Sequence, residues 1–426
     1  MENVDRPTGD PALPGTVLVI GMGSLGDRDS SPYRETLLAG MARRYPLWLI
    51  DTEEPTWQLP YAMGSTLLTG RGTEHMHQAV REATAQSNVI GAFCPDEGLL
   101  LPAAIAVEAL GLPGAGGDAV AACRDKKLSR ERLTAAGLPQ PRHSTASSPE
   151  ELAEVAADLG YPVVLKPRAL GGSAGVIKVS KPDEVASAYA VATAASYPGI
   201  EHSANVVVEQ YLDGPEISID GSMFDGNYQA YTIAHKELGE PPYFVETGHV
   251  VNGDDPLLDD PELHGILERA HKALGFDHGL THSEVRFTRL GPVVIEINGR
   301  PGGDNIPRLA LLSTGTDLGW IAAGMAVGLP PDTPVRRPGT VGLRFLRPER
   351  NSRLVEFPAP DPADHPGLVE AKVLVKPGDT LRTPPAQYTA RYGFLIAEAA
   401  DPQSCRALLD RLETEVADTI RSEPLS

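Results

Sequence analysis

THSEVRFTRLGPVVIEINGRPGGDN, residues 281–305, decides the fold. It reads as two adjacent strands joined by a turn at Leu290 to Pro292. Residues two apart in a strand share a face, so Glu284 on the first strand and Glu296 and Asn298 on the second can converge. Glu296 sits inside the apolar run VVIEI, where an unpaired carboxylate would be costly to bury, and this weighs against a merely solvated acidic hairpin. Two carboxylates and an amide oxygen are a hard-oxygen set suited to magnesium, which keeps waters and bridges phosphates; manganese is the alternative ion. Arg300 follows, a cation suited to charge that develops on a transferring phosphoryl group or a tetrahedral centre.

Working back toward the N-terminus, three further stretches suit parts of a nucleotide. VVVEQYLDGPEISIDG, residues 206–221, supplies Glu209, Tyr211, Leu212 and Glu216. A strand exit of this kind can accept the adenine amino group, offer a backbone donor to a ring nitrogen and set a second carboxylate against ribose hydroxyls; an acidic hairpin edge is the alternative. VVLKPRALGGSAGVIKV, residues 163–179, ends an apolar strand at Lys166 and continues through Gly171, Gly172, Ser173 and Gly175. Such a loop brings N–H groups close to phosphate oxygens while the lysine adds a point charge, although a flexible hairpin would look the same. RDKKLSRERL, residues 124–133, has Lys126 and Lys127 opening a helix within a stretch, 118–136, that reads as helical throughout, and a solvated face is the plain reading of the two lysines.

These stretches sit in a chain of 426 residues, room for about three domains of ~150 residues. Residues 16–118 alternate apolar runs (TVLVIG, PLWLID, VIGAFC) with helical stretches and read as an open parallel α/β sheet. From Val163 to Ile297 neighbouring strands predominate, an α+β pattern of antiparallel sheets backed by a few helices. The expected central unit is 119–330, divided into 119–204 and 205–330. The Pro-rich run LPPDTPVRRPG, residues 329–339, marks a seam before a C-terminal α+β unit, 331–426. The polar, Pro/Gly-rich residues 1–15 are expected to be disordered.

Composition narrows the function classes. A net charge of −20 argues against a nucleic-acid partner, so polyanion binding has to be local to one cleft. Three well-separated cysteines without metal-ligand spacing point to a reducing compartment. No signal pattern and no run of 18 apolar residues is found, so the expectation is a soluble, cytoplasmic protein without a membrane partner, with a homodimer the preferred oligomer. Gly21, Gly23 and Gly26 follow the first strand as GMGSLG, and Asp51 ends the next, which on paper is a dinucleotide fingerprint. Asp27 and Asp29 come directly after it and would repel a pyrophosphate at a helix N-terminus.

Together the motifs resemble the ATP-grasp superfamily, and more narrowly the L-amino acid ligases that make dipeptides. The resemblance is strongest from Lys126 to Arg308. It implies ATP lying between two α+β subdomains, with Lys126 and Lys166 on the phosphates and the loop Leu170 to Gly175, including Gly172 and Ser173, closing over them. It gives Glu209, Tyr211 and Leu212 to adenine, Glu216 to ribose, and magnesium to Glu284, Glu296 and Asn298. PPYFVETGHVV is also similar to that group, which places Glu246 and His249 near amino-acid substrates, and Arg300 matches the arginine that stabilises acyl phosphate and tetrahedral adduct. Some dipeptide ligases carry a small residue where Asn298 stands, which points to a different substrate subgroup. His249 reads equally as a satisfied core histidine, and Lys236 as either a phosphate ligand or an exposed strand lysine. The implied activity couples a carboxylic acid to an amine, an amino acid on at least one side, through an acyl phosphate. The rivals are an NAD(P)-dependent oxidoreductase built on the glycine fingerprint and a nucleotide-binding module without turnover.

Overall fold

Strand pairing among the described residues of the computed structural model gives one parallel sheet and three antiparallel ones, the smallest of three short strands in the C-terminal unit. Residues 15–23, 31–196, 200, 203–289, 291–333 and 335–425 are described. The stretch 1–14, Gly26 with Asp27 and Asp29, and Leu290 lie outside the described residues.

β1 (Thr16–Ile20), β2 (Leu47–Asp51), β3 (Gly64–Leu67) and β4 (Val89–Phe93) form the parallel sheet, in the order β3-β2-β1-β4. Every residue of β1 and β2 is buried, as expected of central strands with both faces covered. Next come β5 (His143–Ala146), β6 (Val163–Pro167), β7 (Ile177–Val179) and β8 (Val206–Gln210), ordered β5-β8-β6-β7. Helices Pro149–Leu159 and Val185–Ala194 cover this sheet around Leu152, Leu165, Val185 and Val208. The division expected at 204/205 therefore falls in the wrong place: β8 pairs with both β5 and β6, and Val206 and Val208 complete the first subdomain's core.

The larger sheet runs through β9 (Glu216–Phe224), β10 (Asn227–Leu238), β11 (Glu246–Asn252), β12 (Gly279–Thr288) and β13 (Gly291–Asn298). It continues into β14 (Thr340–Leu346), skips β15 (Ser352–Glu356), and takes in β16 (Leu368–Val373) and, past β17 (Thr380–Leu381), β18 (Gly393–Ala399). The order is β13-β12-β9-β10-β11-β14-β18-β16. The sheet thus crosses the expected seam at 331. β11 pairs antiparallel with β14, His249 opposite Leu343, so the Pro-rich run is a connection over an uninterrupted sheet rather than a break between cores.

The helix expected over 118–136 is two helices, Gly117–Arg124 and Lys126–Ala135. Asp125 is extended between them (φ −85, ψ 102), and its carboxylate accepts the N–H groups of Lys127 and Leu128 as an N-cap. Arg168 holds the same carboxylate at 2.6–2.8 Å. The break matters for the site because it makes Lys126 the first residue of its helix.

Helix Pro261–Leu274 carries a buried histidine that sets part of the acid stability. His271 lies 2.7 Å by Nδ1 from the Leu267 carbonyl and 3.0 Å by Nε2 from Thr281 Oγ1, and burial pushes its pKa from 6.5 down to about 4. The unfolded chain binds this proton below pH 6.5 and the folded chain does not until about pH 4. The contribution is therefore complete above pH 6.5 and is lost as pH falls toward 4, for a loss of about 3 kcal/mol. Urea midpoints at pH 7 and 4.5 should fall less steeply in His271→Gln than in the wild type; equal slopes would assign the acid limb elsewhere.

Candidate active site

The antiparallel register of β12 and β13 puts Glu284 directly opposite Glu296, and Asn298 opposite His282. The strand expectation for these residues is met, and each carboxylate has a lysine beside it. Lys126 Nζ is 3.3 Å from Glu296 Oε2, and Lys236 Nζ donates to Glu284 Oε1 at 2.9 Å. Lys126 also donates from Nζ to the Leu170 carbonyl at 2.7 Å and from its amide to the Arg168 carbonyl at 2.8 Å. Helix start and glycine loop are thereby tied together. In that loop Gly172, Ser173 and Gly175 have φ of 63, 56 and 72, the left-handed region that favours glycine and turns N–H groups outward.

Lys166 and the adenine-side residues line the same cleft. Lys166 Nζ is 2.7 Å from Glu209 Oε2, and Arg130 Nε is 2.7 Å from Glu209 Oε1. Burial would raise the Glu209 pKa, but Arg130 and Lys166 override it and hold it at about 2. The carboxylate therefore reaches the cleft already committed to two cations, as the anchor of Lys166. Glu216 is likewise paired, with Arg286 at 2.5 Å and Lys236 at 2.7 Å. Tyr211 lies under Lys178, 4.0 Å from its ammonium to the ring, and stacks with Phe244 at 6.4 Å. The Leu212 carbonyl accepts from Arg286 Nη1 at 2.7 Å.

Lys236 is not an exposed strand lysine. Its side chain is 3% exposed and its ammonium lies 2.7 Å from Glu216, 2.8 Å from Glu246 and 2.9 Å from Glu284. Burial alone would lower its pKa, yet the three carboxylates raise it well above the ordinary lysine value. A buried charge survives only with such partners.

Beyond Lys236, the other end of the cleft is built by Glu246, His249, Asp304 and Arg391. His249 is fully buried, with Nε2 at 3.2 Å from Glu246 and 4.0 Å from Asp304, ion-pair distances without an aligned hydrogen bond. Burial opposes its protonation, but Asp304 and Glu246 prevail and raise its pKa. It is a core histidine by burial, with its proton favoured by the two carboxylates. Arg391, from the C-terminal unit, grips Asp304 through Nη1 at 2.6 Å and Nη2 at 2.9 Å. The donor atoms of Glu246, His249 and Asp304 all lie within 4.8 Å of one another. Lys236 already pairs with Glu246, and Arg391 with Asp304.

Arg300 lies two residues past β13. It donates from Nε to Glu97 Oε2 at 2.6 Å and from Nη1 to the Pro301 carbonyl at 2.9 Å. The loop after it is ordered by Asp220, which accepts the Gly302 N–H at 2.9 Å and pairs with His282 at 2.7 Å. In the described part of the glycine fingerprint, buried Asp51 accepts the N–H groups of Gly23 at 2.6 Å and Thr52 at 2.8 Å. Glu97, Arg130, Arg286, Asp304 and Arg391 were missed by the motif reading. Arg286 stands two residues from Glu284 on the same strand face, and Arg130 one helical turn from Lys126, so both were within reach of spacing; Glu97 and Arg391 come from distant segments and carried no local signal.

Two family models match. Residues 159–307 fit an ATP-grasp domain and residues 344–420 fit L-amino acid ligase C-terminal domain 2. The chain thus carries an ATP-grasp domain followed by a match to an L-amino acid ligase C-terminal domain. An uncharacterized protein of Sinorhizobium fredii is 32% identical over 303 residues, 70% of this chain and 62% of that one. An alanine–anticapsin ligase of Bacillus subtilis is 29% identical over 234 residues, 50% of this chain and 48% of that one. The chain thus spans about half to three-fifths of the length of these curated relatives. Among solved structures, an L-amino acid ligase from Bacillus licheniformis superposes with TM-score 0.75 at 21% identity, covering 97% of this chain and 99% of that one, which establishes the ATP-grasp fold. No helix among the described residues is long and apolar enough to cross a membrane.

Proposed function

We propose that this ATP-grasp protein is an ADP-forming carboxylate–amine ligase that joins amino acids through an acyl phosphate. The observation that carries the reading is the face-to-face pair Glu284 and Glu296, set in one cleft with Lys126, Lys166 and Lys236. The relatives named as ligases support the same class of reaction.

Glu284, Glu296 and Asn298 would hold magnesium, which would offset the charge of the transferring phosphoryl group. Lys126 and Lys166 orient the phosphates, and the loop Leu170 to Gly175 shields the acyl phosphate from water. Tyr211 and Leu212 meet the adenine, with Glu209 fixing Lys166 behind them, and Glu216 faces the ribose. Glu246 and Asp304 receive the ammonium of an amino-acid substrate. His249, buried 3.2 Å from Glu246, positions that carboxylate, and the proton released by the attacking amine passes to Glu246. Arg300 meets the oxyanion as the amine nitrogen bonds to the carbonyl carbon and the C–O bond to phosphate breaks.

A panel of amino-acid pairs, assayed for ADP release and product mass, tests the reading: at least one pair should give stoichiometric ADP and a mass equal to the two substrates less water. ATP consumption without any condensed product would remove it. Mg-ATP at 100 times its Kd should stabilise the fold by about 2.7 kcal/mol while NAD(P) leaves the melting temperature unchanged. The reverse pattern would restore the oxidoreductase.

A further inference from the structure

Arg300 owes its orientation to a residue outside the matched ATP-grasp segment. Glu97 follows β4 in the run PDEG, residues 95–98, and is 7% exposed. One oxygen takes the Arg300 Nε–H at 2.6 Å and the other lies 3.3 Å from Arg124 Nε. With Nη1 held by the Pro301 carbonyl, two edges of the Arg300 guanidinium are fixed. The pair lies against the glycine loop: a Cβ built on Gly171 would be 3.8 Å from Glu97 Cγ and 3.9 Å from Arg300 Nη2. Arg124, Lys126 and Arg300 all act on this one carboxylate.

We propose that Glu97 is a positioning residue that aims Arg300 at the reacting carbonyl, so that productive aminolysis requires the N-terminal domain to be seated against the phosphate loop. The inference rests on the ligase reading above. Without the Glu97 charge, Arg124 and Arg300 lose the carboxylate between them and repel each other, while Arg300 keeps its place on the cleft that Lys126 and Glu296 also line. Arg300 then turns toward the phosphates, which keeps nucleotide affinity and loses the oxyanion contact. The acyl phosphate still forms. Its C–O bond to phosphate breaks either under attack by the amine, giving amide and phosphate, or under attack by water, giving the free acid and phosphate. The amide formed per ADP reports the partition.

The test compares wild type, Glu97→Gln and Glu97→Asp under saturating substrates, with ADP and amide measured together and Mg-ATP titrated separately. Glu97→Gln should lower kcat by about 10–100-fold, leave KM for ATP within about twofold of the wild type, and lower the amide-to-ADP ratio. Should Glu97→Gln not fold, Glu97→Asp, which keeps the charge but withdraws it from Arg300, must itself show a reduced ratio. An unchanged ratio in the folded variants, or a loss confined to ATP affinity, overturns the positioning role while leaving the ligase reading intact. A wild type that condenses no pair overturns that reading and this inference with it.

Discussion

Glu296→Gln stops ADP release on every productive substrate pair while the protein melts close to the wild-type temperature. Glu296 stands opposite Glu284 across the β12–β13 ladder, and its other neighbour is Lys126 at 3.3 Å. Neutralising it takes away one of the two carboxylates proposed for magnesium and leaves the phosphates with uncompensated charge. A loss of about 10³-fold in turnover corresponds to about 4 kcal/mol of charge stabilisation, within the range a metal ion supplies. The fold tolerates the change because Lys126 keeps the Leu170 carbonyl at 2.7 Å and the ladder is made by main chain. A coupled ADP assay and a thermal melt, run side by side, decide the matter. Turnover within tenfold of the wild type, or a collapse of the fold that accounts for the loss, would take Glu296 out of the metal set.

The part of the site that lay on neighbouring strands was legible because its residues obey a local period. Glu284, Glu296 and Asn298 needed only the two-residue alternation and a turn between strands, and Lys166 with the glycine loop needed only a strand end followed by residues that tolerate positive φ. Strand existence and the parallel N-terminal sheet followed from apolar runs in the same way. Domain limits were harder, since they depend on which strand pairs with which. β8 looks from sequence like the first strand of the second subdomain, yet it closes the sheet of β5 and β6, and β14 extends a sheet begun more than a hundred residues earlier. Lys236 was ambiguous for the same reason: its burial is made by Glu216, Glu246 and Glu284 from three other strands, and nothing within its own stretch AHKE discloses them. The helix start at Lys126 was legible from its own stretch, and Asp125 is the N-cap that makes it, whereas the helical reading carried on from 118 missed the break that this cap imposes.

Lys236→Met should be the most destabilising single substitution in the cleft, by about 3–5 kcal/mol at pH 8, because it strands carboxylates rather than removing a contact. Their remaining partners are unequal. Glu216 keeps Arg286 at 2.5 Å, Glu284 keeps His282 only at 3.8 Å, and Glu246 keeps His249 at 3.2 Å without an aligned hydrogen bond. In the wild type the lysine, whose pKa is raised above 10.5, contributes its full share below that value and gives it up only in strong alkali. In the variant the sign reverses onto the acids. A carboxylate left in the cleft without its ammonium has a folded pKa above its unfolded one, so the penalty is present at high pH and is relieved as pH falls through the folded value. The gap between wild-type and variant urea midpoints should therefore be widest at pH 8 and narrow toward pH 5. A gap of constant width would mean that Lys236 acts by packing its aliphatic stem, and a gap near zero would mean that the three carboxylates do not depend on its charge at all.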